Sequence, residues 1–472
     1  MLLLVGTYSE ALGHVNGKGS GVYVFDVGGI GLGPPPPSPP LAAPPSLFGR
    51  AQLGGPAGLR NPTYLTSWRC PTTGEVHVYA VDERVDGPGT VSAHRLHRDT
   101  GRLEPLGPSG GVPAAAPGIG GGAACCHVAV TPDGRWVLAA NYLGGSVTAV
   151  RRNGDGSLDP GDAHYYRLGG EEDWGGGGGG EVHRYPGPNA SRQEGPHAHM
   201  VVFSKGTRGS TVLVPDLGSD VVWSLPYLGG EEGPGGGGGW GGAGPGGPLG
   251  PPVPSVGAPA LRGGGPRHLA LSPCGRRCYV TYELTSLVAS YDLSEETGAL
   301  EGSAVGIASV LDGVRSRSLG LGLGGGEGGG DGDGDGDGDG RGGQDRPYES
   351  LLTGGASEGP RSCSDARTST AAIRATADGS SVLVSSRLVG AEGAVSALPL
   401  RGGHLVCGGG GGASIRGTVG RTPRDFVLLE ASSAVLVANQ DTDEIVLLRD
   451  GEDPRVLTKG APTPVCLCIV PN

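Results

Sequence analysis

Residues Cys126–Val150 have the sequence CHVAVTPDGRWVLAANYLGGSVTAV, in which three apolar runs are separated by two short turns. The first turn contains Asp133-Gly134, a pair that favours a tight hairpin because both residues tolerate a positive φ angle at low cost. The second turn contains Gly144-Gly145. This stretch therefore predicts three consecutive strands of an antiparallel meander.

The pattern recurs along the chain, and each copy begins with a short leading motif, usually a Pro or Cys followed by a polar or charged residue. The seven leading motifs are Asn61-Pro62-Thr63, Cys125-Cys126-His127, Gly195-Pro196-His197, Gly265-Pro266-Arg267, Ala371-Ala372-Ile373, Thr422-Pro423-Arg424 and Thr463-Pro464-Val465. Short strands that repeat at intervals of roughly 40 to 50 residues are typical of β-propellers and do not fit helical solenoids. The repeats predict an all-β fold, a seven-bladed β-propeller.

The two ends of the chain complement each other. The last leading motif is followed only by CLCIVPN, whereas the strand-like runs LLLVGTY and GVYVFDV near the start have no leading motif before them. Pairing of these runs would complete a blade and remove an open sheet edge. We therefore expect one blade to be closed by both termini.

Glycine and proline are concentrated in blocks rather than spread along the 472 residues, although the chain contains 98 Gly and 40 Pro. Long loops between strands cost little because closure entropy grows slowly with loop length. We predict one domain, residues 1–472, with long Gly/Pro-rich loop insertions. The segments predicted to be disordered are 28–58, 170–194, 229–262 and 312–362.

Charge and cysteine usage exclude several classes of partner. The net charge of −12 disfavours nucleic acid, and the DGDGDGDGDG run lacks the closing Glu of a calcium loop. Nine cysteines with irregular spacing predict neither a disulfide framework nor a zinc site. No secretory or membrane-spanning segment is visible, since the N-terminal apolar run is short. We expect a cytoplasmic monomer with no metal, cofactor, nucleic-acid or membrane partner.

Polar side chains should converge at the channel mouth, because equivalent residues of all blades face the central axis of a propeller. The leading motifs would contribute Thr63, His127, His197, Arg267, Ile373, Arg424 and Val465. The ends of the second strands would contribute Asp82-Glu83, Asn141-Tyr142, Asp216-Leu217, Tyr282-Glu283, Ser386-Arg387 and Asn439-Gln440. His199 lies two residues after His197, so both should face the same side of a strand.

Each of these residues also has a purely structural interpretation. A single buried His is often a hydrogen-bonded core residue, the Asx residues can fix turns, and the arginines can form ion pairs between blades. Glu283 differs because it follows the apolar strand YVTY and its expected neighbours are arginines. Together with His197 and His199 it suggests an acid/base site for an anionic substrate.

Several motifs resemble those of the seven-bladed propeller lactonases, a family that includes the cycloisomerase-like 6-phosphogluconolactonases and the carboxy-cis,cis-muconate cyclases. The motifs are GTYS, NPTYL, VYAVDE, CHVAVTPDGRWVLAANYLGGSV, GPHAHMVVF, VPDLGSD, GPRHLAL, TPRDF and ANQDTDEIV. This resemblance implies hydrolysis of 6-phospho-D-glucono-1,5-lactone in the oxidative pentose phosphate pathway. The alternatives are a muconate-type lactonizing cycloisomerase, and an inactive propeller that serves as an interaction scaffold.

The resemblance also implies a site of one His, two Arg and one Glu. By motif these are His197 or His199, Arg267, Glu283 and Arg387, with Tyr282 standing where the family usually has Asn. We predict that the arginines bind the anionic substrate and polarise its carbonyl group. A histidine oriented by Glu283 would act as general base without a metal.

Two further residues, His127 and Arg424, are predicted to bind the substrate from their positions in the leading motifs.

Overall fold

The computed structural model describes a ring of antiparallel sheets. The described residues are 1–28, 46–51, 60–108, 111–114, 123–169, 185–229, 247–255, 258–310, 368–388, 392–406, 414–429 and 433–471. Within them the helical segments are short 3-10 turns, at Pro259–Leu261 and Gln440–Thr442. None of the described segments forms a helix long and apolar enough to cross a membrane.

Seven sheets form the blades, which we number in chain order. Blade 1 contains β1 (Leu2–Thr7), β4 (Val22–Asp26), β5 (Ser46–Ala51) and β32 (Pro464–Val470), and a small hairpin, β2 (Ala11–Leu12) and β3 (Val15–Asn16), follows its first strand. Blade 2 contains β6 (Leu65–Arg69), β7 (Val76–Asp82), β8 (Thr90–His97), β9 (Arg102–Leu106) and β10 (Val112–Pro113). Blade 3 contains β11 (Cys125–Val130), β12 (Trp136–Asn141), β13 (Ser146–Arg152) and β14 (Leu158–Arg167).

The remaining blades follow the same order. Blade 4 contains β15 (Val202–Lys205), β16 (Ser210–Asp216), β17 (Val221–Pro226) and β18 (Val253–Pro254). Blade 5 contains β19 (Pro266–Leu271), β20 (Arg277–Tyr282), β21 (Leu287–Leu293) and β22 (Leu300–Ser309). Blade 6 contains β23 (Thr368–Ala375), β24 (Ser381–Leu388), β25 (Ala394–Arg401), β26 (His404–Leu405) and β27 (Ser414–Gly417). Blade 7 contains β28 (Pro423–Leu429), β29 (Ala434–Asn439), β30 (Glu444–Arg449) and β31 (Arg455–Thr458).

The predicted seven-bladed, all-β architecture is confirmed, as is closure of one blade by both ends of the chain. In blade 1 the C-terminal strand β32 pairs antiparallel with the N-terminal strand β1, from Leu2 opposite Val470 to Thr7 opposite Pro464. The other edge of β1 pairs with β4. Every position of this sheet is therefore occupied by a strand from one end of the chain or the other.

Apolar side chains fill the spaces between neighbouring blades. One cluster joins blades 7 and 1 through residues such as Leu436 and Phe25, and another joins blades 3 and 4 through residues such as Trp136 and Trp223. Burial of a large apolar side chain contributes about 1.5 to 3 kcal/mol. Since each blade packs on two neighbours, these contacts hold the inner strands in a fixed arrangement around the channel.

A left-handed residue precedes the inner strand in five blades. The residues are Asn61, Ala124, Gly265, Thr422 and Thr463, with φ angles of 55°, 45°, 64°, 58° and 49°. In each case the carbonyl oxygen of this residue accepts a hydrogen bond from the backbone N–H of the second residue of the polar pair that ends the neighbouring strand. The chain therefore enters the channel with the same backbone geometry in these blades, whatever the side chain is.

The segments predicted to be disordered insertions include residues that have defined structure. Residues 46–51 form strand β5, residues 247–255 include strand β18, and residues 185–194 form a series of turns against blades 3 and 4. The two strands pair with their neighbours through backbone hydrogen bonds, and residues 185–194 are held by the side-chain amide of Gln193, which donates to the carbonyl oxygen of Leu217. Gly/Pro-rich surroundings therefore do not exclude defined structure. The predicted insertion 312–362 lies outside the described residues.

Candidate active site

Two rings of side chains surround one end of the channel. The inner ring comprises one residue from the start of each inner strand or from just before it, namely Thr63, Cys126, His199, Arg267, Ala371, Arg424 and Val465. The outer ring comprises the residues at the ends of the second strands, namely Tyr8, Glu83, Tyr142, Leu217, Glu283, Arg387 and Gln440. We call this end of the channel the mouth.

Three inner-ring positions differ from the sequence-based prediction, which placed His127, His197 and Ile373 there. In blade 3 the β-bulge between Cys125 and His127 matches the one between Pro266 and His268 in blade 5, so Cys126 takes the position of Arg267 and His127 lies one step deeper. Two residues then oppose one on the partner strand. In blade 4 the pairing of Ala198 with Asp216 puts His199 in the ring.

Ile373 is also displaced from the mouth. It pairs with Val384, three residues beyond the pairing of Thr370 with Ser386, and its side chain is buried in an apolar cluster between blades 5 and 6. The predicted alignment placed the leading motif two residues too late, since Thr370 takes the place of Pro266 at the start of the same bulge. The inner-ring residue of blade 6 is Ala371.

Glu283 is the centre of an arginine cluster at the mouth. Its Oε2 lies 2.9 Å from Nε of Arg267 and 3.1 Å from Nη2 of Arg387, while its Oε1 accepts a hydrogen bond of 2.9 Å from Nη2 of Arg192. Arg267 also donates to the carbonyl oxygen of Ala371 at 2.7 Å, which fixes the direction of its guanidinium group. The structure thus brings together three of the predicted site residues and adds a third arginine.

The positive charges of this cluster favour the ionised form of Glu283 but oppose that of Arg267. Burial acts to raise the pKa of Glu283, but Arg387, Arg267 and Arg192 outweigh it and hold the pKa well below its usual range. Burial and the neighbouring Arg387 lower the pKa of Arg267, although a guanidinium group still remains a cation at neutral pH. Glu283 is therefore a carboxylate, and it serves as an acceptor that orients arginines.

Arg192 was not predicted from the sequence, because it lies in the segment assigned to an insertion. The neighbouring Gln193 is fully buried and anchors this segment, since its side-chain amide donates to the carbonyl oxygen of Leu217 at 3.0 Å. Arg192 also donates to the Tyr142 hydroxyl at 3.2 Å and keeps 39% of its side chain exposed. It is the member of the cluster that solvent, and hence a ligand, reaches most easily.

His199 is the histidine that shares the inner ring with Arg267. Its Nδ1 lies 3.9 Å from Sγ of Cys126, and its ring packs edge-on against Tyr142. Burial, reinforced by the charge of Arg267, lowers its pKa well below the usual value. The imidazole is therefore neutral and retains a nitrogen that can accept a proton.

His197, like His199, precedes strand β15, but it occupies a different environment. Its ring stacks on Tyr142 with ring centroids 4.4 Å apart. Its Nδ1 lies 3.0 Å from the carbonyl oxygen of Tyr142, and its Nε2 lies 3.0 Å from Oε1 of Glu194. Because both nitrogens face acceptors, His199 is better placed than His197 to take a proton from water.

His127 lies below the mouth, in a group of aromatic rings inside the channel. Its ring is 4.0 Å from that of Tyr64 and 6.0 Å from that of His268, measured between centroids. Burial lowers the pKa of His127 and His268 well below the usual range, so both are neutral. In the described part of the chain, no three or more His, Cys, Asp or Glu side chains are grouped as a metal site would require.

These buried histidines should make the fold sensitive to acid. His94, His127, His199 and His268 all have lowered pKa values because of burial, so the unfolded chain binds protons near pH 6.5 that the native state does not. Stability is then lost as the pH falls below about 6.5, and each group contributes about 1.3 kcal/mol between pH 7 and 5.5. Asp82, whose pKa burial raises to about 7, offsets part of this loss. We expect a net loss of about 3 kcal/mol in urea unfolding.

The variant His268→Gln tests this origin, since it removes one titrating group and keeps a polar side chain in the channel. Its loss of unfolding free energy between pH 7 and 5.5 should be smaller by about 1.3 kcal/mol than that of the unchanged chain. The exposed His404, substituted by Gln in the same way, should leave the loss as it was. Equal pH dependence in all three proteins would contradict the prediction.

Arg424 lies at the mouth but outside the Glu283 cluster. It donates to the hydroxyl of Tyr8 at 2.9 Å, and its guanidinium lies 5.3 Å from the centre of the Tyr8 ring. Tyr8 in turn donates to Oε1 of Glu83 at 3.0 Å, and Thr63 donates to Oε2 at 2.6 Å. Tyr8 was missed because the repeat was not extended to the N-terminal strand. Tyr8 is the last residue of GTY and takes the same position in blade 1 as Glu83, the last residue of VDE, takes in blade 2.

The geometry of seven blades around a polar mouth can be compared with known families. A model described as "Lactonase, 7-bladed beta-propeller" matches residues 51–313 and 353–469. The chain belongs to this family. The match includes all the predicted site residues, from His127 to Arg424. The family assignment made from the sequence motifs is therefore confirmed.

Relatives of this lactonase-family propeller occur in several bacteria. A 6-phosphogluconolactonase of Bacillus subtilis is 26% identical over 242 residues, which are 51% of this chain and 54% of that protein. An uncharacterized protein of Staphylococcus saprophyticus is 27% identical over 165 residues, which are 35% of this chain and 37% of that protein. The chain thus spans about half, or less, of the length of the curated relatives that it matches.

Solved structures agree on the fold. A structure from Bacteroides uniformis superposes with a TM-score of 0.62 at 23% identity, covering 99% of this chain and 98% of the other. A periplasmic gluconolactonase of Pseudomonas aeruginosa superposes with a TM-score of 0.60 at 21% identity, with the same coverage. At these identities the similarity shows that the propeller is shared.

Proposed function

We propose that the protein is a 6-phosphogluconolactonase that hydrolyses 6-phospho-D-glucono-1,5-lactone to 6-phosphogluconate. The observation that carries the proposal is the excess of guanidinium groups at the mouth, where Arg192, Arg267, Arg387 and Arg424 accompany the two carboxyl groups of Glu83 and Glu283. Guanidinium groups match the oxygens of a phosphate or of a developing oxyanion. Membership of the lactonase family and the Bacillus subtilis relative support the same chemistry.

The proposed reaction begins with capture of the anionic substrate by the more exposed arginines. Arg192 is the most accessible of them, and Arg387 keeps 17% of its side chain exposed. Glu283 forms ion pairs with these arginines, so their guanidinium groups keep a fixed orientation and do not pair with other acceptors. A preorganised set of cations stabilises charge that develops in the transition state without reorganising.

The chemical step is an attack of water on the lactone carbonyl carbon. Neutral His199 takes one proton from the water as the new C–O bond forms, and Arg267 stabilises the oxyanion. The ester bond to the ring oxygen then breaks, and the protonated imidazole returns the proton to that oxygen. The step balances without a metal or cofactor. The oxidative pentose phosphate pathway, a cytoplasmic location and a monomeric state are parts of the proposal.

The test is hydrolysis of freshly generated 6-phosphogluconolactone, corrected for its spontaneous rate, by the unchanged protein and by Glu283→Gln. The variant leaves three arginines without their carboxylate, and we expect kcat to fall about 100-fold because the cations lose their orientation. Glu104→Gln, on the outer part of blade 2, is the matched control and should retain full activity.

Absence of any acceleration by the unchanged protein would contradict the proposal. The same preparations should then be incubated with a muconate-type polycarboxylate, since a cycloisomerase would use the same arginines. Activity that is equal in Glu283→Gln and in Glu104→Gln would remove Glu283 from the mechanism.

A further inference from the structure

The mouth contains a second carboxylate, Glu83, whose surroundings differ from those of Glu283. The two residues occupy the same position in blades 2 and 5, so they lie on different sides of a seven-bladed ring. Glu283 contacts three guanidinium groups, whereas Glu83 is held by two neutral hydroxyl groups, those of Tyr8 and Thr63. Among the described residues, no cation lies within ion-pair distance of the Glu83 carboxylate. The two carboxylates are therefore suited to different tasks.

The position of Glu83 is fixed by several independent contacts. Its side chain is buried, and its backbone carbonyl accepts a hydrogen bond of 3.2 Å from the side-chain amide of the fully buried Asn61. Its backbone N–H donates to the carbonyl oxygen of Asn61 at 3.1 Å. Burial raises the pKa of Tyr8, so the phenol keeps its proton and acts as a donor to the carboxylate. Glu83 is thus an oriented acceptor at the mouth.

Free acceptor capacity is the property that points to a ligand. An ionised carboxylate offers about four acceptor sites. The hydroxyls of Tyr8 and Thr63 use one on each oxygen of Glu83 and leave capacity for further donors. Hydroxyl groups of a ligand could occupy these sites, whereas a second carboxylate of a ligand would be repelled.

A small hairpin adds a further polar group on the same side of the mouth. His14, between β2 and β3, is exposed and places its Nε2 3.4 Å from the Tyr8 hydroxyl. Arg424 donates to the same hydroxyl. The Tyr8 oxygen therefore accepts from Arg424 while its proton is donated to Glu83.

We propose that Glu83 determines specificity for polyhydroxylated ligands by accepting hydrogen bonds from their hydroxyl groups. The inference rests on the proposed function and deepens it, because it separates a sugar lactone from a polycarboxylate of the muconate type. The arginines bind the anionic part of the ligand, and Glu83 distinguishes a hydroxylated carbon chain from a bare one. Sites that are built to bind a hydroxyl group discriminate strongly against analogues that lack it.

The test compares two six-carbon monocarboxylates that differ in their hydroxyl groups, D-gluconate and hexanoate, by isothermal titration calorimetry. The unchanged protein should bind gluconate at least about 10-fold more tightly than hexanoate, since a buried acceptor left without a partner costs about 1 to 3 kcal/mol. Glu83→Gln should abolish most of this preference while its affinity for hexanoate stays within about 2-fold. Glu104→Gln should behave as the unchanged protein.

Equal affinities of the unchanged protein for the two ligands would overturn the inference, and so would an equal loss for both in Glu83→Gln. Should Glu83→Gln fail to fold, Glu83→Asp keeps the charge, retracts the carboxylate, and should also reduce the preference for gluconate. Binding is measured without turnover, so the result is independent of lactone hydrolysis. If the protein prefers gluconate but hydrolyses no lactone, the result would support this inference and contradict the proposed function.

Discussion

Replacing Arg267 with alanine should lower kcat/KM for 6-phosphogluconolactone by about 1000-fold, the largest effect that we expect at the mouth. Arg267 is the one arginine of the cluster that lies in the inner ring, and its guanidinium is held between Glu283 and the carbonyl oxygen of Ala371. In the proposed mechanism its loss removes the cation that stabilises the developing oxyanion. It also leaves Glu283 with fewer counter-charges. Single-turnover hydrolysis, corrected for the spontaneous rate, provides the measurement.

The companion variant Arg267→Lys separates charge from geometry. Lysine keeps one positive charge but cannot contact Glu283 and Ala371 with the same planar group. We expect it to recover no more than a small part of the activity. Arg277→Ala is the control, because this arginine begins β20, at the end of that strand away from Glu283, and pairs with Asp292. Near-normal activity of Arg267→Ala, with an intact fold by circular dichroism, would refute the assignment.

Replacing Asp425 with alanine should lower the free energy of unfolding by about 3 to 5 kcal/mol, the largest effect on stability that we expect from a single side chain. Asp425 is buried, and its Oδ1 accepts from Nη2 of Arg374 at 2.8 Å. Its Oδ2 accepts from the backbone N–H of Leu467 at 2.9 Å. One carboxylate thus connects blades 6, 7 and 1, and its loss leaves a guanidinium and an N–H without their acceptor.

Urea unfolding at neutral pH measures this effect. The exposed Asp453 on the same blade, changed to Ala, should alter stability by no more than about 0.5 kcal/mol. The double replacement Arg374→Met with Asp425→Leu should be less destabilising than Asp425→Ala alone, because it removes both charges together. A loss below about 1 kcal/mol for Asp425→Ala would show that the ion pair is not needed to join these blades.

The fold was predictable from the sequence because propeller repeats carry local signals. The Asp133-Gly134 turn, the apolar runs around it and the strand-like segments at the two ends each report a short-range preference. Their recurrence then determines the number of blades. Closure of blade 1 followed from the same count, because the strands of Leu2 and Val470 belong to no other repeat and pair with each other.

The mouth was predictable only in part. The structure brings Arg267, Glu283 and Arg387 together, as the sequence predicted, because these residues were aligned on equivalent positions. His127 and Ile373 were misplaced because their leading motifs were aligned one and two residues too late, although their blades carry the same bulge as blade 5. The start of the inner strand in blades 3 and 6 lacks the Pro that marks this position in blade 5, so the sequence alone does not show which residue takes the ring position. The variants Arg267→Ala and Glu283→Gln test the predicted roles of these residues in catalysis.

Arg192 illustrates a different limit. It comes from a segment that belongs to no repeat, so no periodicity points to it, and its contact with Glu283 spans 91 positions of the sequence. The buried Gln193 beside it was the one available hint, since an amide in a Gly/Pro-rich segment can act as an anchor. Long-range contacts of this kind are determined by tertiary packing and require the structure.

The left-handed residues that precede the inner strands carry a consequence for how this site can change. Their side chains differ, from Asn61 to Ala124 to Thr463, yet they deliver the next two residues to the channel in the same way. Backbone geometry is thereby separated from side-chain chemistry. A replacement in the inner ring can exchange one functional group for another without moving its neighbours, so a single scaffold can acquire new substrates one position at a time.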